Sequence, residues 1–218
     1  MFQASPLFKL IFLPSPLDYV YNIQLTTIHG VLLNQQAAVT QHIKNWLKDI
    51  IIKLNFCPFA NREFISNSIR YSVSQSTELE SGLHALAEEF NHLDQHPKTE
   101  TTLLIFPNSF TVFNDFLELI DYANQLLKEL GYESTYQLAH FHPDYCFEGV
   151  QADDASNYTN RSPYPILHII REESLQKAIE NHPDAGGIPD TNIMLARKLG
   201  SAKMQFLLNQ CKHSRQGT

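Results

Sequence analysis

The sequence predicts an α/β fold, and three observations carry that reading. Amphipathic helical stripes alternate with short apolar runs along the chain. One run, Thr101 to Phe106, is apolar throughout and bounded by Pro107, as expected of a strand covered on both faces. No repeat or low-complexity tract interrupts the pattern. The expected architecture is a sheet of about four strands, mostly parallel or mixed, with helices packed on it. The element order also occurs in thioredoxin-like folds.

The first strong element is a helix over Val39–Leu54. Its apolar residues, Val39, Ile43, Trp46, Leu47, Ile50, Ile51 and Leu54, recur on one face, and Pro58 is expected to stop it. Ile69, Tyr71 and Val73 alternate with Arg70, Ser72 and Ser74, which predicts a strand with one apolar face. Thr77 and Glu80 are spaced as a capping box for a helix carrying Leu79, Leu83, Leu86, Phe90 and Leu93. The central strand 101–106 follows. A helix near Phe113–Leu130 comes next, with Gly131 at the C-cap. Tyr136–Phe141 is the third strand and Ile166–Ile170 the fourth. Ser174 is placed to cap a short helix. Residues 182–190 read as a turn-rich break before a last helix that starts near Thr191.

Organisation is read as an extension over residues 1–34, one α/β domain over 35–209 and a polar tail over 210–218. The apolar run Leu7–Leu13 is too short to span a bilayer and lacks the flanks of a secretory signal. Two expectations stand for this stretch: a peripheral extension, or a native start near Val31–Leu33.

Composition narrows the function classes. The chain of 218 residues has a formal net charge of -7, which disfavours phosphate backbones and so argues against nucleic acid. Its three cysteines, Cys57, Cys146 and Cys211, are too few and too widely spaced for a disulfide framework or a CxxC…CxxC zinc site. A cytoplasmic, reducing compartment and no membrane partner are expected.

The long connection after the third strand, residues 142–164, is the densest polar segment. Loops of this length in compact domains are functional or disordered. Tyr145, Phe147, Tyr158 and Tyr164 argue for a folded one. In it His142 is the candidate general acid or base, with Asp144 to orient it. Arg161 is the candidate anion binder, paired with Asp144, Asp154 or a ligand. Asn157, Tyr158, Asn160, Asp154 and His168 complete the substrate-binding set. Asn and Ser here also serve a bland role, satisfying the backbone of an irregular loop. Cys57, in Asn55-Phe-Cys-Pro-Phe-Ala60, is a candidate nucleophile if it reaches the same cleft, and otherwise a buried structural thiol. His140, His142 and Asp144, with His168 on the neighbouring strand, permit a metal reading that is set below the metal-free one. The sequence does not reveal a cofactor.

Several segments resemble the bacterial family catalogued as domain of unknown function 1415. They are Leu54-Asn-Phe-Cys-Pro-Phe-Ala60, Thr101-Thr-Leu-Leu104, Phe113-Asn-Asp-Phe-Leu117, Phe141-His-Pro-Asp-Tyr145 and Asn157-Tyr-Thr-Asn-Arg-Ser-Pro-Tyr-Pro165 with Asp154, His168 and Arg171-Glu172. The resemblance covers about residues 38–200 and implies a bacterial cytosolic protein, without implying a reaction. Its usual pattern does not require His at position 140, so it does not imply a metal set. The leading functional expectation is an enzyme acting on a small polar or anionic substrate at the His/Asp/Arg loop. The alternatives are a binding module for an anion, nucleotide or peptide, and a loop that is structural only.

Overall fold

The computed structural model describes residues 16–213, so the readings made for residues 1–15 and 214–218 lie outside the described residues. The chain divides into two compact units, residues 1–38 and 39–218. Of the first, residues 16–38 are helical, within α1 (Pro16–Trp46). No helix among the described residues is long and apolar enough to cross a membrane.

In the second unit α1 runs on into one π-helical segment, Leu47–Ile52, where the expected helix 39–54 changes its winding. The stop comes before Pro58. Asn55 turns the chain with φ 56°, a conformation Asn tolerates better than other residues with a Cβ. A short α2 (Ala60–Ile65) leads to β1 (Ile69–Val73), α3 (Leu79–Gln95), β2 (Thr101–Ile105), α4 (Phe113–Glu129), β3 (Tyr136–Phe141), a 3-10 turn (Ala155–Thr159), β4 (Ile166–Arg171), α5 (Glu172–Glu180), α6 (Ile188–Leu199) and α7 (Ser201–Gln210).

The sheet is mixed, in the order β1-β2-β4-β3. Only β1 and β2 pair parallel; β4 runs antiparallel to both β2 and β3. β1, β2 and β3 therefore point the same way, and β4 is inserted between β2 and β3 after the long connection. Strand alternation assigns two faces. Leu104, Phe106, Leu167, Ile169 and Tyr136 meet Leu86, Phe90 and Leu93 of α3 and Phe116, Leu119 and Ala123 of α4. On the other face Leu103, Ile105 and Ile166 meet Ile43 and Trp46 of α1, Ile50 and Ile51, Ala196 of α6, and Met204 and Leu208 of α7. Every residue of β2 is buried, as its unbroken apolar sequence predicts. Polar Arg70 of β1 is held by a two-point ion pair with buried Glu89 of α3, at 2.6 and 3.1 Å.

Three local expectations are corrected. The capping box of α3 is built by Glu78 and Ser81, not by Thr77 and Glu80. Ser174 lies within α5 and its hydroxyl donates to Glu100 at 2.7 Å instead of capping. The terminal helical segment starts at Ile188, with Pro189 in its first turn, and Gly200 divides it into α6 and α7.

Gly131, placed from sequence at the end of α4, adopts φ 75° just after Leu130. Gly131→Ala forces a Cβ into that left-handed conformation and should lower unfolding free energy by about 1 kcal/mol in urea titration. An unchanged midpoint rejects this account of the cap.

Candidate functional site

The β3–β4 connection sits at the end of the sheet where β1, β2 and β3 finish. Its polar side chains bond to the loop's own backbone or tie it to neighbouring helices, and the buried Ser156 hydroxyl has no partner among the described residues. Asn157 is fully buried. Its carbonyl oxygen accepts from the Phe147 N–H at 3.0 Å, and its amide donates to the carbonyls of Gln151 and Ala152 at 2.9 and 3.4 Å. Asp154 caps the 3-10 turn by accepting from the Ser156 N–H at 2.8 Å. Arg197 of α6 grips the same carboxylate at 2.9 and 3.1 Å and, with the Ser156 N–H, holds its pKa well below the usual carboxylate range. Arg161 meets neither Asp144 nor Asp154. It donates to the carbonyls of Tyr145 and Ala152 at 3.1 and 2.8 Å and lies 4.5 Å over the Tyr158 ring. The Tyr158 hydroxyl donates to Gln205 of α7 at 2.7 Å. Among the described residues the Asn160 side chain meets only the Thr159 hydroxyl, at 3.1 Å, while its main-chain carbonyl accepts from the His142 N–H at 3.3 Å.

His142 is fully buried against Phe113 and Phe116, with ring centroids 5.1 and 5.2 Å away. Nδ1 accepts from the Asp144 main-chain N–H at 3.0 Å, so the ring proton sits on Nε2, which faces the Phe110 carbonyl at 2.9 Å. Burial lowers its pKa, against weaker raising contributions from the Phe110 carbonyl and the Asp144 charge. Both nitrogens are used, leaving none to exchange a proton with a substrate. Asp144 does orient His142, but through its backbone and not its carboxylate.

The sheet also separates residues that were expected to meet. His142 lies on the α4 side, whereas Cys57 packs with the Trp46 side. His168 pairs in register with Leu103, whose side chain belongs to that same Trp46 side. His140 and His142 thus do not share a face with His168. Among the described residues no group of three His, Cys, Asp or Glu converges on a metal position.

Cys57 and His168 do come together elsewhere. They line a cavity of about 480 Å3 at the opposite end of the sheet, near the start of β2 and the end of β4. Its wall is mostly Leu47, Pro58, Phe59, Ile69, Leu103, Ile170 and Leu175, with Thr101 beside His168. The Thr101 hydroxyl donates its one proton to the Ile169 carbonyl at 2.6 Å. Its 2.7 Å contact with His168 Nε2 is therefore made by an imidazole N–H, and Nδ1 carries the lone pair. No partner for Nδ1 occurs among the described residues. Burial pushes the His168 pKa down to about 4. The Cys57 thiol is raised by burial, which outweighs the lowering effect of the Phe59 and Ala60 N–H groups. At neutral pH the cavity therefore holds an uncharged imidazole and an uncharged thiol.

Sequence reading placed Cys57 and His168 in its candidate set but missed Thr101 as the partner that fixes the tautomer. It also missed Arg197, the cation that Asp154 engages. Both pairings depend on strand and helix placement, and no local signal marks either.

A family model described as "Protein of unknown function (DUF1415)" matches residues 38–206. No curated protein and no solved structure matches the chain.

Removing the Asn157 side chain leaves the Phe147 N–H without its partner and opens a void at a fully buried position, while the Gln151 and Ala152 carbonyls keep the Asp154 N–H and Arg161. Asn157→Ala should cost about 2–3 kcal/mol by urea titration, and Asn160→Ala less than about 0.5. Equal effects sink the view that Asn157 staples the loop. For His168, the unfolded chain binds a proton near the ordinary pKa of 6.5 whereas the folded one does so only near 4. Between these values the unfolded state holds more protons, so stability falls as pH is lowered. The part contributed by His168 should reach about 3 kcal/mol. It should appear as a difference between wild type and His168→Gln that changes from pH 7 to 4, the wild type losing stability relative to the variant as the pH falls; parallel curves refute the assignment.

Proposed function

Since the chain belongs to the family described as Protein of unknown function (DUF1415), whose description supplies no reaction, we propose that it is a small-molecule binding protein. Its ligand is uncharged and mostly apolar, and presents one hydrogen-bond donor to His168 Nδ1. The open lone pair of a neutral imidazole in an apolar cavity carries this reading. A cavity of this size suits a compact ligand, and such sites combine apolar walls with few polar anchors.

The charge at the cavity edge supports a neutral ligand. Arg62 and Lys177 line it together with Glu63 and Glu100, two cations against two carboxylates. Arg62 pairs with Glu63 at 2.6 Å, and Ser174 donates to Glu100 at 2.7 Å. The chemistry of the wall favours binding over turnover. An imidazole with a pKa near 4 is a weak base at neutral pH, and a raised thiol is a weak nucleophile. In this reading His142, Asp144, Asp154, Asn157, Asn160 and Arg161 hold the β3–β4 connection in place. The three free cysteines fit a reducing, cytoplasmic setting.

The test is a thermal-shift and calorimetric screen of small aromatic probes. Indole should stabilise the protein, N-methylindole should bind roughly tenfold more weakly for want of the donor, and benzoate should not bind. Indole should also slow alkylation of Cys57 by iodoacetamide. Stronger binding of benzoate than of indole, or equal binding of indole to Ala178→Phe, which narrows the cavity, overturns the proposal.

A further inference from the structure

A second cluster lies away from that cavity, where the end of α7 meets α1. His42 of α1 and Tyr164 of the β3–β4 connection share a hydrogen bond, Nδ1 to hydroxyl oxygen at 2.9 Å, with their rings nearly parallel. The Lys212 ammonium stands 4.5 Å over the Tyr164 ring. His213 follows it in sequence and is anchored through Nδ1 to the Asn209 carbonyl at 2.8 Å. Asn45 of α1 donates to the Cys211 carbonyl at 3.1 Å, which ties this turn of chain to the helix.

From this geometry we propose that His42, Lys212 and His213 form a binding site for a phosphate group, with Tyr164 as its platform.

Four observations carry it. The charges that act on His42 are those of Lys212 and His213, both of the same sign as its own protonated form. Among the described residues Lys212 makes no ion pair, and its ammonium rests on an aromatic face alone. The amine is partly withdrawn from water, which lowers its pKa without a carboxylate to offset the cost. Partly desolvated cations are ordinarily paired. Finally, three basic groups gather on a chain whose formal charge is -7, so the local field opposes the global one.

Phosphate suits the cluster better than a single carboxylate. It carries close to two negative charges and three acceptor oxygens, enough for the Lys212 ammonium, the His42 imidazole and a His213 ring protonated at Nε2, its Nδ1–H being taken by the Asn209 carbonyl. With the Tyr164 hydroxyl donating to His42 Nδ1, the ring's Nε2–H is the donor left for an oxygen. Free phosphate and a phosphorylated metabolite present the same group, and the test separates the two.

The experiment follows histidine ring resonances of the full chain during titration with inorganic phosphate, against sodium chloride at matched ionic strength. The His42 signal is identified by its loss in His42→Gln. Phosphate should move it saturably and chloride should not. Lys212→Gln should weaken phosphate binding by roughly tenfold or more, and Lys212→Arg should retain it. A competing titration with a sugar phosphate that saturates the same signal at lower concentration assigns the site to a phosphorylated metabolite; equal concentrations assign it to phosphate itself. No saturable shift, an equal shift with chloride, or unchanged binding in a Lys212→Gln protein with wild-type circular dichroism overturns the proposal.

Discussion

An irregular segment can lie against a sheet only if its backbone donors and acceptors find partners inside the protein. In this chain the constraint falls on the β3–β4 connection, and buried Asn157 is its centre. One side-chain amide joins Phe147, Gln151 and Ala152 and closes the segment on itself. Arg161 adds the Tyr145 carbonyl and shares that of Ala152, and Asp154 links the 3-10 turn to α6 through Arg197. Without this closure β4 has no fixed approach to its place between β2 and β3. The order of the sheet, and with it both faces, follows from how this segment is held.

The faces then decide which side chains can act together. Alternation along β3 sends Tyr136 toward α3 and His142 toward α4, while Phe141 packs edge-on against Trp46. His168 on β4 pairs with Leu103 on β2, and so belongs to the Trp46 side with Cys57. A sheet is a barrier to proton transfer between its two sides. The imidazole that appeared catalytic by its neighbours in sequence is consumed by main-chain bonds. His168, by contrast, lines a cavity and has a partner among the described residues for Nε2 alone.

What could be read from the sequence was what depends on neighbours along the chain. The period of Leu86, Phe90 and Leu93 placed α3, the run Thr101–Phe106 placed the fully buried β2, and Gly131 marked the end of α4. Small errors came where two polar residues compete for one cap, as Thr77 and Glu78 do before α3. Contacts between distant elements were not legible. Thr101 meets His168, and Arg197 meets Asp154, only after strand order and helix docking are set. The candidate residues lie in the loop and around the sheet, but what each side chain does turns on partners that no local pattern encodes.

The placement of the cavity has its own logic. In open α/β sheets ligands ordinarily bind outside the carboxyl ends of parallel strands. Here those ends of β1, β2 and β3 are shared with the β3–β4 connection, whose polar groups bond within it and to α1, α6 and α7. A polar cavity lined by Ser72, Ser74, Ser76 and Thr77 stands at the carboxyl end of β1, while the cavity that holds Cys57 and His168 lies at the other end, where β4 finishes and α5 begins. Withdrawal from water there lowers the basicity of His168 and raises the thiol of Cys57. Desolvation thus removes charge from the two groups most able to do covalent chemistry, while a lone pair facing an apolar wall gains value as a hydrogen-bond acceptor, because no water competes for it on equal terms. The same burial that weakens the case for a reaction strengthens the case for recognition.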